Sequence, residues 1–137
     1  MKGPRVLVVD DEPALRRTLE RALRGHDYEV VSVADPNSAY QMLGESSFDL
    51  VLLDLRLPQM AGDTFFLAIV RRWPRLLGRV ILMSGDLLPP QPDWPIELAG
   101  CPVLHKPFSL DTLMTAVGRV LAEAEPDSDI LEGNGNP

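Results

Sequence analysis

The stretch "FDLVLLDL", Phe48–Leu55, is the most continuously apolar run in the chain. Such a run is typical of a strand that is covered on both faces, as in the middle of a parallel sheet. Asp54 comes directly after four consecutive apolar residues of this run. The sequence therefore predicts a buried central strand that ends on a carboxylate.

Working outward from this strand, short apolar runs alternate with helical patterns, which is typical of βαβ units and a parallel sheet. The predicted strands are Arg5–Val9, Tyr28–Val33, Phe48–Leu55, Arg79–Met83 and Pro102–Leu104. The first predicted helix begins near Pro13, and the next two cover Pro36–Leu43 and Asp63–Trp73. The last is a long helix whose N-cap is Ser109.

Two regions interrupt this alternation. Between Leu87 and Pro107 lie six of the chain's 13 prolines, where a fourth helix would be expected. Proline removes backbone donors and clashes inside helices, so we predict that helix four is shortened or irregular. Residues 125–137 are acidic and rich in glycine, and we expect a disordered tail there after a single domain over residues 1–124.

The net charge, the cysteine count and the lengths of the apolar runs argue against several classes of protein. The chain has 137 residues and a net charge of −7, which argues against nucleic acid as a direct ligand. Its one cysteine, Cys101, excludes an intrachain disulfide. Since no apolar run reaches the length of a signal-peptide core or a membrane span, we expect a cytoplasmic protein without membrane insertion.

Polar residues end or follow four of the predicted strands. They are Asp10 and Asp11 in "VLVVDDEP", Asp54, Ser84 and Lys106. Right-handed crossovers bring the C-terminal ends of parallel strands to one edge of the sheet, where open α/β folds bind ligands. With strand order 2-1-3-4-5, Asp11 and Asp54 would be close neighbours. Three carboxylates in one crevice need a cation, or one of them must hold a proton.

The ligand chemistry of this edge favours a hard cation. Oxygen ligands suit Mg²⁺, with Mn²⁺ as an alternative, and Mg²⁺ in proteins is usually held by one or two carboxylates plus a phosphate oxygen. Lys106 would supply a second positive charge to a phosphoryl group, and Ser84 a hydroxyl donor. These residues around a nucleophilic aspartate indicate phosphoryl transfer.

Four motifs, "VVDDEP", "LLDLRLPQMAG", "ILMSGD" and "HKPF", stand in the order and at the spacing of a known family. From about Arg5 to Glu123 the chain resembles the receiver domain of two-component response regulators. The resemblance implies a flavodoxin-like (CheY-like) three-layer α/β fold with a five-stranded parallel sheet in the order 2-1-3-4-5. It also implies a phosphoacceptor that takes its phosphoryl group from a histidine kinase or a histidine phosphotransfer domain, and that catalyses only its own phosphorylation and dephosphorylation.

The resemblance assigns the ligands of the metal. Asp54 is expected to be the phosphoacceptor and, with Asp11, to coordinate Mg²⁺ directly. The backbone carbonyl of Arg56 would be the third protein ligand, and Asp10 would act through a metal-bound water.

It also assigns the groups around the phosphoryl oxygens. Ser84 would donate a hydrogen bond to one oxygen and Lys106 would pair with another, and the Lys106–Pro107 peptide bond is cis in this family. Beside the site, an Arg56–Asp86 contact is expected to tune the lifetime of the phosphate. Gly85 would leave the donor histidine free access.

The chain departs from the family in two respects. Val103 stands where many receivers carry an aromatic switch residue, and the proline-rich stretch replaces most of helix four, so the usual dimerisation face is atypical and the oligomeric state is open. Both features are similar to receivers attached to hybrid histidine kinases. Two alternatives stay open, a receiver-like docking module with little phosphotransfer, and a Mg²⁺-dependent aspartyl-phosphate phosphatase. The second is disfavoured because "DDEP" lacks the D-x-D spacing of such enzymes.

Overall fold

The computed structural model describes residues 3–57, 60–85 and 100–124. The predicted irregular helix four, Asp86 and the predicted tail over residues 125–137 lie outside these ranges.

Five parallel strands form one sheet in the order β2-β1-β3-β4-β5. They are β1 Arg5–Val9, β2 Glu29–Val33, β3 Leu50–Asp54, β4 Val80–Ser84 and β5 Val103–His105. The predicted flavodoxin-like fold and its strand order are therefore confirmed. The predicted bounds of β1 are confirmed, and those of the other four strands differ from the structure by at most two residues. Ser84 is the last residue of β4 instead of following the strand.

Helices connect β1 to β2, β2 to β3 and β3 to β4, a further helix follows β5, and together they cover both faces of the sheet. They are α1 Pro13–Arg24, α2 Pro36–Glu45, α3 Gly62–Arg72, a 3₁₀ turn at Pro74–Leu76, and the C-terminal helix Leu110–Ala124. Both α1 and α2 begin with proline, whose missing N–H would have had no helical partner in the first turn. The predicted cap Ser109 accepts a hydrogen bond from the backbone N–H of Thr112 at 3.0 Å. None of the helices within the described ranges is long and apolar enough to cross a membrane.

The core is split by the sheet into two layers, as the strand alternation requires. On one face, Leu7 and Val9 of β1 pack in a cluster with residues of α2 and α3. On the other face, Val6 and Val8 pack with residues of α1 and the C-terminal helix. All five residues of β3 are buried, which explains why its sequence is apolar without alternation.

The central position of β3 predicts a large stability difference between two leucine-to-alanine substitutions. Leu52 is fully buried in β3, whereas Leu77 is 51% exposed. We expect Leu52→Ala to lower the free energy of unfolding by about 3 kcal/mol, through lost burial and a residual cavity. Leu77→Ala should change it by less than about 0.5 kcal/mol. Urea denaturation of both variants measures the difference, and equal effects would contradict the packing described here.

Candidate functional site: an acidic pocket at the C-terminal edge of the sheet

The pairing of β1 with β3 brings the acidic residues together. Val9 is aligned with Leu53, so Asp10 and Asp54, the next residue of each chain segment, lie side by side. Asp10, Asp11 and Asp54 each offer a carboxylate oxygen within 4.8 Å of the others. The sequence-based expectation that these three acids meet at one edge therefore agrees with the geometry.

Asp10 lies at the centre of this pocket and is 0% exposed. Its backbone N–H donates to the carbonyl of Val33 at 3.1 Å, which continues the β1–β2 ladder by one residue. Its Oδ1 accepts the backbone N–H of Glu12 at 2.8 Å, and its Oδ2 accepts Lys106 Nζ at 2.8 Å. Both oxygens of this buried carboxylate are therefore hydrogen-bonded, as a buried charge requires.

Lys106 follows the edge strand β5, and its side chain reaches the acids at the centre of the sheet. Its backbone N–H donates to the carbonyl of Ser84 at 2.6 Å, and its peptide bond to Pro107 is cis. Its Nζ lies 2.8 Å from Asp10 Oδ2 and 3.3 Å from Asp54 Oδ2. Burial alone would lower the pKa of Lys106, but the hydrogen bonds and charges of Asp10 and Asp54 together outweigh burial and raise the pKa. Lys106 is therefore a firmly protonated cation between two carboxylates.

Asp54 is only 3% exposed, and its two oxygens have different partners. Oδ1 accepts the backbone N–H of Arg56 at 2.9 Å, and Oδ2 faces Lys106. Burial raises the pKa of Asp54, and the negative charge of Asp10 adds to this effect, while the Arg56 N–H and Lys106 act in the opposite direction. The net result is a raised pKa, so a further cation would stabilise the ionised carboxylate.

The remaining predicted residues surround this centre. Asp11 is exposed, in contrast to its buried neighbour Asp10, and Ser84 is 6% exposed at the end of β4. Arg56 is exposed and forms an isolated bridge with Ala61. A Cβ atom built on Gly85 would meet no neighbour within 4 Å in the part of the chain that the structure describes. The predicted Arg56–Asp86 contact involves a residue outside the described ranges and stays a prediction.

Sequence reasoning missed the ion pair between Lys106 and Asp10. It assigned Lys106 only to a phosphoryl oxygen, and it expected a metal ion or a proton to balance the negative charge of the three acids. The lysine already supplies one positive charge to the acidic pocket. The indication was present in the sequence, because a lone lysine follows β5 at the edge where three acids meet.

A family model for the response regulator receiver domain matches residues 6–118. The chain belongs to this family. Receiver domains are the phosphoacceptors of two-component signalling, interact with histidine kinases and bind Mg²⁺ at an acidic pocket. The predicted family and its general function are thereby confirmed.

Individual relatives agree with this assignment. The chain is 32% identical over 123 residues to the DNA-binding transcriptional regulator NtrC of Bradyrhizobium, covering 90% of this chain and 25% of that protein. It is 31% identical over 123 residues to the response regulator receiver protein CpdR of Brucella abortus, covering 88% of this chain and 98% of that protein. The chain spans only 25 to 57% of the length of the first curated relatives that it matches.

A solved structure of similar shape is the response regulator protein TrrA of Thermotoga maritima, determined in complex with Mg²⁺–BeF. It is 26% identical to this receiver domain with a TM-score of 0.73, and the match covers 88% of this chain and 99% of that one.

The buried ion pair predicts strong coupling between Lys106 and Asp10. In the metal-free protein, we expect Lys106→Met to lower the free energy of unfolding by about 2–4 kcal/mol, because Asp10 would then be a buried charge without its partner. Adding Asp10→Asn should recover a large part of this loss, since the amide oxygen can still accept the Glu12 N–H. A double-mutant cycle by chemical denaturation measures the coupling, and purely additive effects would contradict it.

Proposed function

We propose that this receiver domain accepts a phosphoryl group on Asp54 from the phosphohistidine of a histidine kinase or a histidine phosphotransfer domain. The observation that carries the proposal is the environment of the Asp54 carboxylate. It is buried at the sheet edge, fixed through Oδ1 by the Arg56 N–H, and 3.3 Å from the cation Lys106 through Oδ2. A carboxylate held in this way is oriented for attack before the donor arrives.

In the transfer step, an oxygen of Asp54 attacks the phosphorus atom. The new P–O bond forms as the P–N bond to the donor histidine breaks, and the imidazole nitrogen leaves with the electron pair of that bond. Ser84 would donate its hydroxyl hydrogen to one phosphoryl oxygen, and Lys106 would donate an N–H to another. Both groups stabilise negative charge on the transferring phosphoryl group.

The residues present fit Mg²⁺, and Mn²⁺ as an alternative, because three carboxylates present hard oxygen ligands within 4.8 Å of one another. Asp11, Asp54 and the backbone carbonyl of Arg56 would hold the ion, and Asp10 would contact it through water. Of the two adjacent acids, Asp10 is suited to the indirect role because it is buried and its two oxygens accept hydrogen bonds from the Glu12 N–H and Lys106, whereas Asp11 is exposed. The bound ion would neutralise charge on the acids and on the phosphoryl group.

The setting of the domain is also a proposal. We place the receiver domain at residues 1–124 and in the cytoplasm, with catalysis limited to its own phosphorylation and dephosphorylation. Attachment to a hybrid histidine kinase is supported by Val103 in place of the aromatic switch residue. Sequencing the complete gene in its source genome tests the attachment, and a chain without a kinase region would contradict it.

Phosphorylation of Asp54 can be tested with a small donor. Incubation with acetyl phosphate and Mg²⁺ should increase the intact mass by one phosphoryl group, and Asp54→Asn should abolish the increase because its amide is not a nucleophile. Asp111→Asn, an exposed aspartate in the first turn of the C-terminal helix, is the matched control and should be phosphorylated normally.

Other outcomes would support the rival functions. Release of many phosphate equivalents per protein without a trapped adduct would favour an aspartyl-phosphate phosphatase. The absence of any adduct, with acetyl phosphate and with a histidine kinase as donor, would favour a docking module.

The different roles proposed for Asp10 and Asp11 predict that their substitution affects metal binding to different extents. Asp11→Asn should weaken Mg²⁺ binding by about tenfold or more, since it replaces a direct ligand, whereas Asp10→Asn should weaken it less. Glu12→Gln removes the same charge one residue further on and should have little effect. Isothermal titration calorimetry with MgCl₂ measures all three, and a larger loss in Asp10→Asn would reverse the assignment.

A further inference from the structure

Arg16 contacts the backbone of the acidic pocket from the first part of α1. Its side chain is half-buried, and Nη1 donates to the carbonyl oxygen of Asp10 at 2.7 Å. Its own backbone N–H donates to the carbonyl of Glu12 at 3.1 Å, so the arginine is anchored within the helix. The guanidinium therefore links α1 to the turn that follows β1.

The carbonyl of Asp10 belongs to the same rigid peptide plane as the N and Cα atoms of Asp11. A hydrogen bond that fixes this carbonyl thereby restrains the position of the Asp11 Cα atom, from which the side chain departs. The Asp10 carboxylate does not depend on Arg16, because Lys106 and the Glu12 N–H hold it. The Asp11 carboxylate is exposed, and nowhere in the described part of the chain does it have a hydrogen-bond or ion-pair partner.

We propose that Arg16 is a positioning residue for the metal site: by holding the carbonyl of Asp10, it fixes the geometry in which Asp11 presents its carboxylate to Mg²⁺. The inference rests on the proposed function of the acidic pocket and adds to it a residue that touches neither the metal nor the phosphoryl group.

The charge of Arg16 acts in the opposite direction from its hydrogen bond. A guanidinium near a cation site repels the cation, so removing the charge alone would strengthen Mg²⁺ binding. Removing the hydrogen bond to Asp10 would weaken it, because a direct ligand loses its fixed orientation. The sign of the change in Mg²⁺ affinity therefore distinguishes positioning from simple electrostatics.

The test compares Arg16→Ala, Arg16→Lys and Arg17→Ala in the full chain. Isothermal titration with MgCl₂ alone gives the affinity without any phosphoryl donor. We expect Arg16→Ala to weaken Mg²⁺ binding by about tenfold and Arg16→Lys, which keeps a donor and the charge, to retain much of the affinity. Arg17→Ala removes an exposed charge of the same type from the next position and should not weaken binding.

A second readout separates positioning from a merely structural role. With acetyl phosphate as donor, Arg16→Ala should raise the Mg²⁺ concentration that gives half of the maximal phosphorylation rate, while the rate at saturating Mg²⁺ stays close to that of the unchanged protein. A lower melting temperature with unchanged Mg²⁺ affinity would overturn the inference, and so would tighter binding in Arg16→Ala. If Arg16→Ala fails to fold, Arg16→Met decides, because it keeps much of the side-chain volume without the donor, and an Mg²⁺ affinity equal to that of the Arg17→Ala control would overturn the inference.

Failure of the proposed function gives a different pattern. If the unchanged protein does not bind Mg²⁺, the assignment of the acidic pocket fails and the role of Arg16 fails with it. If the unchanged protein binds Mg²⁺ and Arg16→Ala binds it equally well, only the role of Arg16 fails.

Discussion

The ion pair between Asp10 and Lys106 is the contact on which the acidic pocket depends. It joins the end of β1 to the residue after β5, two positions 96 residues apart in sequence, and it spans the ends of β3 and β4 that lie between them. Asp10 is 0% exposed, and a carboxylate at such a place is stable only with a cation and hydrogen bonds to both oxygens. Lys106 and the Glu12 N–H meet this requirement. The pair thus fixes the edge strand β5 relative to the centre of the sheet, and with it the geometry around Asp54.

The same lysine is compatible with a phosphoryl group. An ammonium group has three N–H donors, and two of them serve Asp10 at 2.8 Å and Asp54 at 3.3 Å. A third donor can therefore reach a phosphoryl oxygen without loss of the shorter contact to Asp10. An arginine would not be equivalent here, because its planar group cannot place donors in three directions around one nitrogen. Lys106 is the counter-ion of the acids in this structure, and in the proposed transfer it would also bind the phosphoryl group.

Much of this arrangement could be predicted from the sequence, because it follows from topology. The apolar run through Leu53 identified the central strand, and parallel connections then brought Asp54, Ser84 and Lys106 to one edge. The respective roles of Asp10 and Asp11 could not be read from alternation, because both residues follow the last residue of β1, where the strand pattern no longer dictates side-chain direction. Burial separates them, since one acid is fully buried and the other is exposed.

The contacts made by long side chains also could not be predicted from the sequence. Lys106 and Arg16 each have several rotatable bonds, so their positions along the chain do not specify which of the neighbouring oxygens they reach. Both side chains bind Asp10, one at the carboxylate and one at the backbone carbonyl. That Asp10 binds both Lys106 and Arg16 could be identified only after the fold had placed α1 and β5 near it.

Charge balance explains why the pocket suits a divalent cation. When its three carboxylates are ionised, Lys106 compensates one of the three negative charges, which leaves a net charge of −2 among these four groups. Burial is the main cause of the raised pKa of Asp54, and the negative charge of Asp10 raises this pKa further. A monovalent cation would leave half of the net negative charge uncompensated, whereas Mg²⁺ would cancel it. In the proposed transfer, the single charge of a carboxylate would be replaced by the higher charge of a phosphoryl group, so Lys106 and a divalent cation would compensate more negative charge after the transfer than before it.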